Sequence, residues 1–158
     1  LFKWPNDLHL NKKKLAGVLI EHLDSAHISV GFGMNLQTTP PSTLIQSCIA
    51  LREETNFSYT NVNFYQFLQT SFEETLKKWA KEGFEPFRQD WLSRTYLPGT
   101  AVNIIDEDKI TLGSYDGLSE QGFLQIRLQN GEKKLIQSGE VSFRVIQNIS
   151  TFSLKEIA

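Results

Sequence analysis

The chain has 158 residues, 40% of them hydrophobic and 22% charged, a composition ordinary for a globular protein of one or two small domains. Its basic residues are scattered among slightly more acidic ones, giving a net charge of −2, so no basic stripe is available to bind nucleic acid. No apolar run approaches the ~18 residues of a membrane span, no signal peptide is visible, and the single cysteine, Cys48, predicts a cytoplasmic protein without a disulfide framework.

The N-terminal third predicts short strands of a buried sheet. Residues 1–4 predict the end of a strand, and the Pro5-Asn6-Asp7 cluster predicts a turn after it. A short strand is expected at residues 8–10. The apolar runs 14–23 and 26–32 then predict two adjacent, antiparallel strands.

Helices are expected in the middle of the chain. Ser42 can cap a helix that runs to about Arg52. Residues 62–82 predict a long helix ending at Gly83, because apolar side chains recur at steps of three and four and should face the core. Pro86 can open a further helix. The apolar stripe of the long helix consists of Phe64, Phe67, Leu68, Phe72, Leu76 and Trp79.

After Gly99 the pattern changes to short β-type runs separated by turns, including a strong hairpin signal at Asn130-Gly131. Five such runs predict a small closed barrel of the SH3-like kind. We therefore expect an α+β protein: a mixed sheet with helices on one face in residues 1–98, a barrel domain in 99–147, and a loosely held tail in 148–158. The predicted barrel strands are 101–105, 109–115, 122–128, 133–137 and 141–146.

Polar groups concentrate in the segment Lys3–Glu21. Asn6 and Asp7 supply an amide and a carboxylate at a strand end, where ligands commonly sit in sheets covered by helices. Lys14 begins an apolar strand and can bring its ammonium to the rim of a pocket, while Gly17 lets a ligand approach the backbone. Taken singly, a Pro-Asn-Asp cluster is usually only a turn, and a lysine before a strand is usually a solvated flank.

Together these pieces resemble the biotin protein ligase family. The family pattern KWPNDL stands at residues 3–8, KLAG at 14–17 and G-x-G-x-N at 31–35. A later segment, GEVSFR at 139–144, is similar to one in the family's small C-terminal β-barrel. The resemblance covers residues 1–146 and corresponds to the C-terminal portion of the family.

The resemblance implies a fold and an activity. Residues 1–98 are similar to the C-terminal part of a class II synthetase-like catalytic domain. Family members use ATP and Mg²⁺ to activate biotin as biotinyl-5′-adenylate, which is then transferred to a lysine of a biotin carboxyl carrier protein. Some form homodimers through the central sheet.

Residue roles follow from the same resemblance. Lys14 looks like the catalytic lysine that bridges the biotin carboxylate and the α-phosphate of ATP, two anions that a fixed ammonium can bring together. Asp7 looks like a catalytic contact to the nucleotide and Mg²⁺, and Asn6 like a nucleotide contact. Asn35 is similar to the residue that reads the adenine edge. The other implied positions are two pocket-wall glycines that make room for biotin and one nucleotide-side arginine: Gly17, Gly31 and Arg144.

One departure from the family leaves alternatives open. The family's Gly/Arg-rich loop, which folds over biotin and the adenylate, normally lies upstream of KWPNDL and is not in this sequence. We therefore expect this chain alone to lack ligase activity. A lipoate ligase-like protein is the enzymatic alternative, although KWPND and the barrel favour biotin. The non-catalytic alternative is a fragment that only binds a carrier domain.

Overall fold

A computed structural model describes residues 1–41, 47–55, 60–106, 109–137 and 142–145. The expected cap at Ser42 and the tail from residue 148 lie outside the described residues. The chain divides into two compact units, Leu1–Thr95 and Tyr96–Ala158.

The first unit contains a four-stranded sheet. Its strands are β1 (Phe2–Lys3), β2 (Asp7–Leu10), β3 (Lys13–His22) and β4 (Ile28–Met34), adjacent in that order. Each strand pairs antiparallel with the next, which confirms the predicted antiparallel pair. The expectation of a mixed sheet is wrong for these named strands, because their short connections can join only antiparallel neighbours. Within the described ranges, parallel pairing is limited to an isolated bridge between Lys14 and Cys48.

The β2–β3 connection is a two-residue hairpin turn. Asn11 and Lys12 both have positive φ, 48° and 64°. This backbone suits a tight hairpin because its twist matches that of the flanking strands. It sets His9 of β2 opposite Lys14, near the start of β3.

Three helices are described in the first unit: α1 (Leu51–Glu54), α2 (Asn61–Glu82) and α3 (Glu85–Ser93). Of the predicted helix 42–52, residues 51 and 52 are helical, but the prediction is wrong for residues 47–50. Residues 47–50 precede α1 without helical structure, because backbone groups of Ser47 and Ile49 pair with Lys14 instead of bonding along a helix. Among the described residues, no helix is both long and apolar enough to cross a membrane.

The long helix α2 has the predicted extent. Thr60 caps it by accepting a hydrogen bond from the Asn63 amide, and Gly83 ends it with φ 73°. However, none of its residues is buried, so the expectation that its stripe belongs to the core is wrong. Phe72 meets Phe32 of β4 edge-on at 5.4 Å, whereas Trp79 is 54% exposed. Periodicity shows which helix face can be buried, but not that another layer covers it.

The second unit contains a five-stranded antiparallel sheet. All five strands lie where the sequence predicts them, to within a few residues. Gly131 has φ 83° at the predicted Asn-Gly turn, which joins the strands ending at Leu128 and beginning at Lys133. The strands are β5 (Ala101–Asp106), β6 (Lys109–Leu118), β7 (Leu124–Leu128), β8 (Lys133–Ile136) and β9 (Ser142–Val145), and their spatial order is β8-β7-β6-β5-β9.

Alternate positions of these strands form the core of the second unit. The side chains of β5 and β7 that point inward are almost fully buried, as expected for a sheet with one covered face. Tyr115 of β6 packs among them with 2% exposure. The largest fully buried side chains are Val102, Ile104, Tyr115, Leu124 and Ile126.

Candidate functional site

An ammonium–carboxylate pair stands where β2 and β3 meet. Lys14 Nζ lies 2.5 Å from Asp7 Oδ1, and the two side chains are 32% and 12% exposed. Lys14 lies opposite His9, and a register shift between Leu8 and His9 then brings Asp7 opposite Gly17. Because the two groups are close and partly shielded from water, their electrostatic interaction is stronger than that of a fully exposed ion pair. The ammonium is still exposed enough to contact an anion.

The backbone of Lys14 is held from the side opposite β2. The Lys14 amide donates to the Ser47 carbonyl at 2.9 Å, and the Ile49 amide donates to the Lys14 carbonyl at 3.0 Å. These bonds form the isolated parallel bridge and fix the lysine between β2 and the segment 47–49. The sequence does not predict this contact, because no local pattern indicates that Lys14 pairs with a residue more than thirty positions away.

Two asparagines border the pair, and each is anchored to β3. The Asn6 side-chain amide donates to the Val18 carbonyl at 2.5 Å. The Asn35 side-chain amide donates to the Lys14 carbonyl at 3.4 Å, and its backbone amide donates to Leu15 at 2.9 Å. A primary amide has two N–H groups and a carbonyl, so each side chain retains hydrogen-bonding capacity for a ligand.

A cavity of about 1030 Å³ opens beside these groups. It is large enough for a substantial small molecule. Apolar side chains, including Leu19, Phe32 and Met34, complete its wall, and Cys48 also lines it. Five of the sequence-predicted residues line this cavity: Asn6, Lys14, Gly17, Gly31 and Asn35.

Of the other two predicted residues, Asp7 joins the group through its ion pair with Lys14. Arg144 lies in the second unit, on β9, opposite Asn103 of β5. Its side chain is outside the described residues. The structure therefore brings six of the predicted residues together in the first unit, and Arg144 belongs to the second.

His9 is a buried neighbour that the sequence did not single out. It is 7% exposed, and both ring nitrogens have no hydrogen-bond partner within the described part of the chain. Burial lowers the pKa of His9, and the nearby Lys3 charge lowers it further. The imidazole is therefore neutral near pH 7, with Nε2 4.0 Å from Asp7 Oδ2. Only its place two residues after Asp7 on β2 could have indicated this position.

The arrangement suits the binding of anions. Lys14 offers a fixed positive charge at the cavity, and Asp7 holds that charge in place. In the described ranges, no group of three or more His, Cys, Asp or Glu side chains could hold a metal ion by itself. A divalent cation at Asp7 would therefore need further oxygen ligands, such as the phosphates of a bound nucleotide.

Comparison with known proteins decides the family. A model described as "Biotin/lipoate A/B protein ligase family" matches residues 1–35, which include the ion pair and both asparagines. A second, "Biotin protein ligase C terminal domain", matches residues 99–144. The chain belongs to the biotin protein ligase family. Both parts of the resemblance noted in the sequence thus have a counterpart among known biotin protein ligases.

Sequence identity to individual biotin protein ligases supports the family assignment. The chain is 31% identical over 148 residues to the bifunctional ligase/repressor BirA of Escherichia coli K12, a match covering 90% of this chain and 46% of BirA. It is 28% identical over 149 residues to the biotin–[acetyl-CoA-carboxylase] ligase of Paracoccus denitrificans, covering 89% of this chain and 62% of the relative. The chain thus spans about half the length of these relatives.

Solved structures of a biotin protein ligase share the fold. The apo enzyme of Aquifex aeolicus superposes with a TM-score of 0.80 at 32% identity, covering 92% of this chain and 65% of that one. The same enzyme in complex with biotin and ATP gives a TM-score of 0.79 at 32% identity, covering 92% and 62%.

Proposed function

We propose that this chain carries the adenylate-forming site of a biotin protein ligase. The reaction activates biotin with ATP to biotinyl-5′-adenylate, and the biotinyl group is then transferred to a lysine of a biotin carboxyl carrier protein. The observation that carries the proposal is the Lys14 ammonium, held 2.5 Å from Asp7 at the wall of a cavity. Membership of the family supplies the substrates.

Lys14 is the group on which the first step depends. The biotin carboxylate attacks the α-phosphorus of ATP, a new C–O–P bond forms, and pyrophosphate leaves with the electron pair of the broken P–O bond. Two anions must approach each other, and charge builds up on the oxygens of the transferring group. An ammonium already fixed between them stabilises that charge without first having to be ordered. In the second step the carrier lysine attacks the acyl carbon, and AMP leaves.

The nucleotide would lie against the asparagines and Asp7. Asn35 retains amide groups suited to the adenine edge, and Asn6, which lines the same cavity as Lys14, would contact the phosphates. Mg²⁺ fits here with one protein carboxylate, Asp7, because this ion commonly completes its shell with water and phosphate oxygens. When bound, Mg²⁺ would neutralise phosphate charge. Asp7 itself orients the ammonium of Lys14.

Biotin would lie along the wall formed by Gly17 and Gly31, where the apolar side chains Leu19 and Phe32 also line the cavity. In the second unit, we propose that the five strands form the SH3-like barrel and that Arg144 serves the nucleotide side. The residues 1–98 and 99–147 would then be the catalytic and barrel domains. The outer edge of β4, last in its sheet, is the place for a homodimer contact.

The test is biotin-dependent exchange of pyrophosphate into ATP, measured on the protein as its gene encodes it. Lys14→Met should lower the exchange rate about 10²–10³-fold, the usual effect of losing one such stabilising group. Lys13→Met is the matched control, because Lys13 is the adjacent lysine of β3 and is exposed. Equal rates for Lys14→Met and Lys13→Met would contradict the role of Lys14.

The same assay separates the alternatives. With lipoate in place of biotin, a lipoate ligase-like protein would exchange pyrophosphate, whereas the proposed enzyme would do so only with biotin. Binding of a carrier domain without pyrophosphate exchange, whether biotin or lipoate is supplied, would favour the non-catalytic alternative.

A further inference from the structure

Gly17 lies on β3 directly opposite Asp7 of β2. Glycine is often needed where φ is positive, but Gly17 is not among the glycines with positive φ. An alanine could therefore adopt the same backbone conformation. The reason for glycine at this position must be sought in the space in front of its Cα.

That space is filled by the ion pair. A Cβ placed on Gly17 would lie 3.1 Å from Asp7 Oδ1 and 3.3 Å from both Cε and Nζ of Lys14. These distances are shorter than ordinary carbon contacts, which begin at about 3.5 Å. All three atoms are ends of side chains, so a methyl group would displace the carboxylate and the ammonium rather than separate the strands.

The other glycines of this sheet differ. Gly33 of β4 is the register partner of Gly17, and a Cβ there would come no closer than 3.9 Å, to the Gly17 carbonyl. A Cβ on Gly31 would also meet its nearest atom, in Leu19, at 3.9 Å. Only the glycine under the ion pair is sterically constrained among these three.

We propose that Gly17 is a positioning residue for the Asp7–Lys14 ion pair. Its missing side chain leaves the room in which the ammonium and carboxylate meet and are held at the cavity wall. This role differs from simply making space for biotin. The effect on rate rests on the proposed function, whereas the effect on the ion pair does not.

The kinetic test uses Gly17→Ala in pyrophosphate exchange. We expect kcat to fall about tenfold or more, since the transition state loses a placed cation, while KM for biotin changes less than about twofold. In a Lys14→Ala background, Gly17→Ala should lower kcat no further. A rise in KM for biotin with kcat unchanged, or an equal fall in both backgrounds, would overturn the proposal.

A second test requires no activity. Gly17→Ala is introduced into the wild type and into the double variant Asp7→Ala/Lys14→Ala, and thermal unfolding is recorded. Without the two side chains, alanine should raise Tm, because it restricts the unfolded chain and no longer meets the Asp7 and Lys14 side chains in the folded one. In the wild type it should fail to raise Tm. Gly33→Ala should shift Tm equally in both backgrounds. Equal Tm shifts for Gly17→Ala in the two backgrounds would refute the steric coupling, even if the protein proved not to be a ligase.

Discussion

The two units of the chain use their sheets differently. Of the eleven buried hydrophobic residues among those described, seven belong to the second unit, which is the shorter one, and four to the first. In the first unit β3 keeps Leu19 and Ile20 58% and 60% exposed, whereas Leu124 and Ile126 of β7 are fully buried. The second unit is thus a packed body, while the first presents polar groups and apolar walls to a cavity. Most of the buried hydrophobic core among the described residues thus lies in the second unit, and the cavity with the ion pair lies in the first.

A core substitution should change the free energy of unfolding most, and it tests whether the two units differ in packing. Leu124→Ala should lower the free energy of unfolding by about 2–5 kcal/mol, because it leaves a cavity in a side-chain environment with 0% exposure. Leu19→Ala, the matched leucine of the first unit, should change it by less than about 0.5 kcal/mol. Urea titrations of the two variants measure both values. Similar costs at the two leucines would mean that the units do not differ in packing.

A smaller effect concerns the ion pairs. In the second unit, Asp116 lies 3.0 Å from Arg127 Nη2 and 3.1 Å from Lys133 Nζ. The hydrogen bond from Lys133 lowers the pKa of Asp116 below its ordinary value of 3.8, and the Arg127 charge adds to this. Because the folded pKa is the lower one, the stabilisation is complete above the unfolded value and is lost as pH falls through the folded value.

Asp116→Asn should therefore destabilise the protein at pH 7 by up to about 1 kcal/mol, the range of partly exposed ion pairs. The difference from wild type should shrink as the pH is lowered below 3.8. Unfolding at a series of pH values measures it. A difference that stays constant down to the lowest pH at which the protein folds would show that the charge of Asp116 is not responsible.

The sequence predicts the two units unequally well. Strands of the second unit follow from alternation and turn residues such as Asn130-Gly131, which are local signals. The hairpin of β2 and β3 is equally local. The sequence predicts helix for the extended segment 47–49, and this is wrong, because the apolar composition suits both states and the pairing partner, Lys14, is remote in sequence.

The sequence predicts which residues belong to the candidate site, but not how they are arranged. Asn6, Asp7 and Lys14 stand out as polar groups at strand ends, and the family resemblance supplies their roles. Three features of the site depend on the register of β2 against β3. They are the pairing of Asp7 with Lys14, the burial of His9 beside them, and the position of Gly17 under the pair. A register shift between Leu8 and His9 sets this geometry, and no residue pattern predicts it.

The most direct test of the account is the reactivity of individual lysines. The protein as its gene encodes it is treated with an acetylating reagent, with and without biotinol-adenylate, a stable mimic of the reaction intermediate, and each site is quantified by mass spectrometry. Lys14 of the first unit is 32% exposed and Lys133 of the second is 60% exposed, so both can react in the free protein. We expect the mimic to slow acetylation of Lys14 about tenfold or more, the factor expected when the ligand occupies nearly all sites, and to leave the acetylation rate of Lys133 unchanged. Acetylation of Lys14 at the same rate with and without a saturating concentration of the mimic would contradict the account.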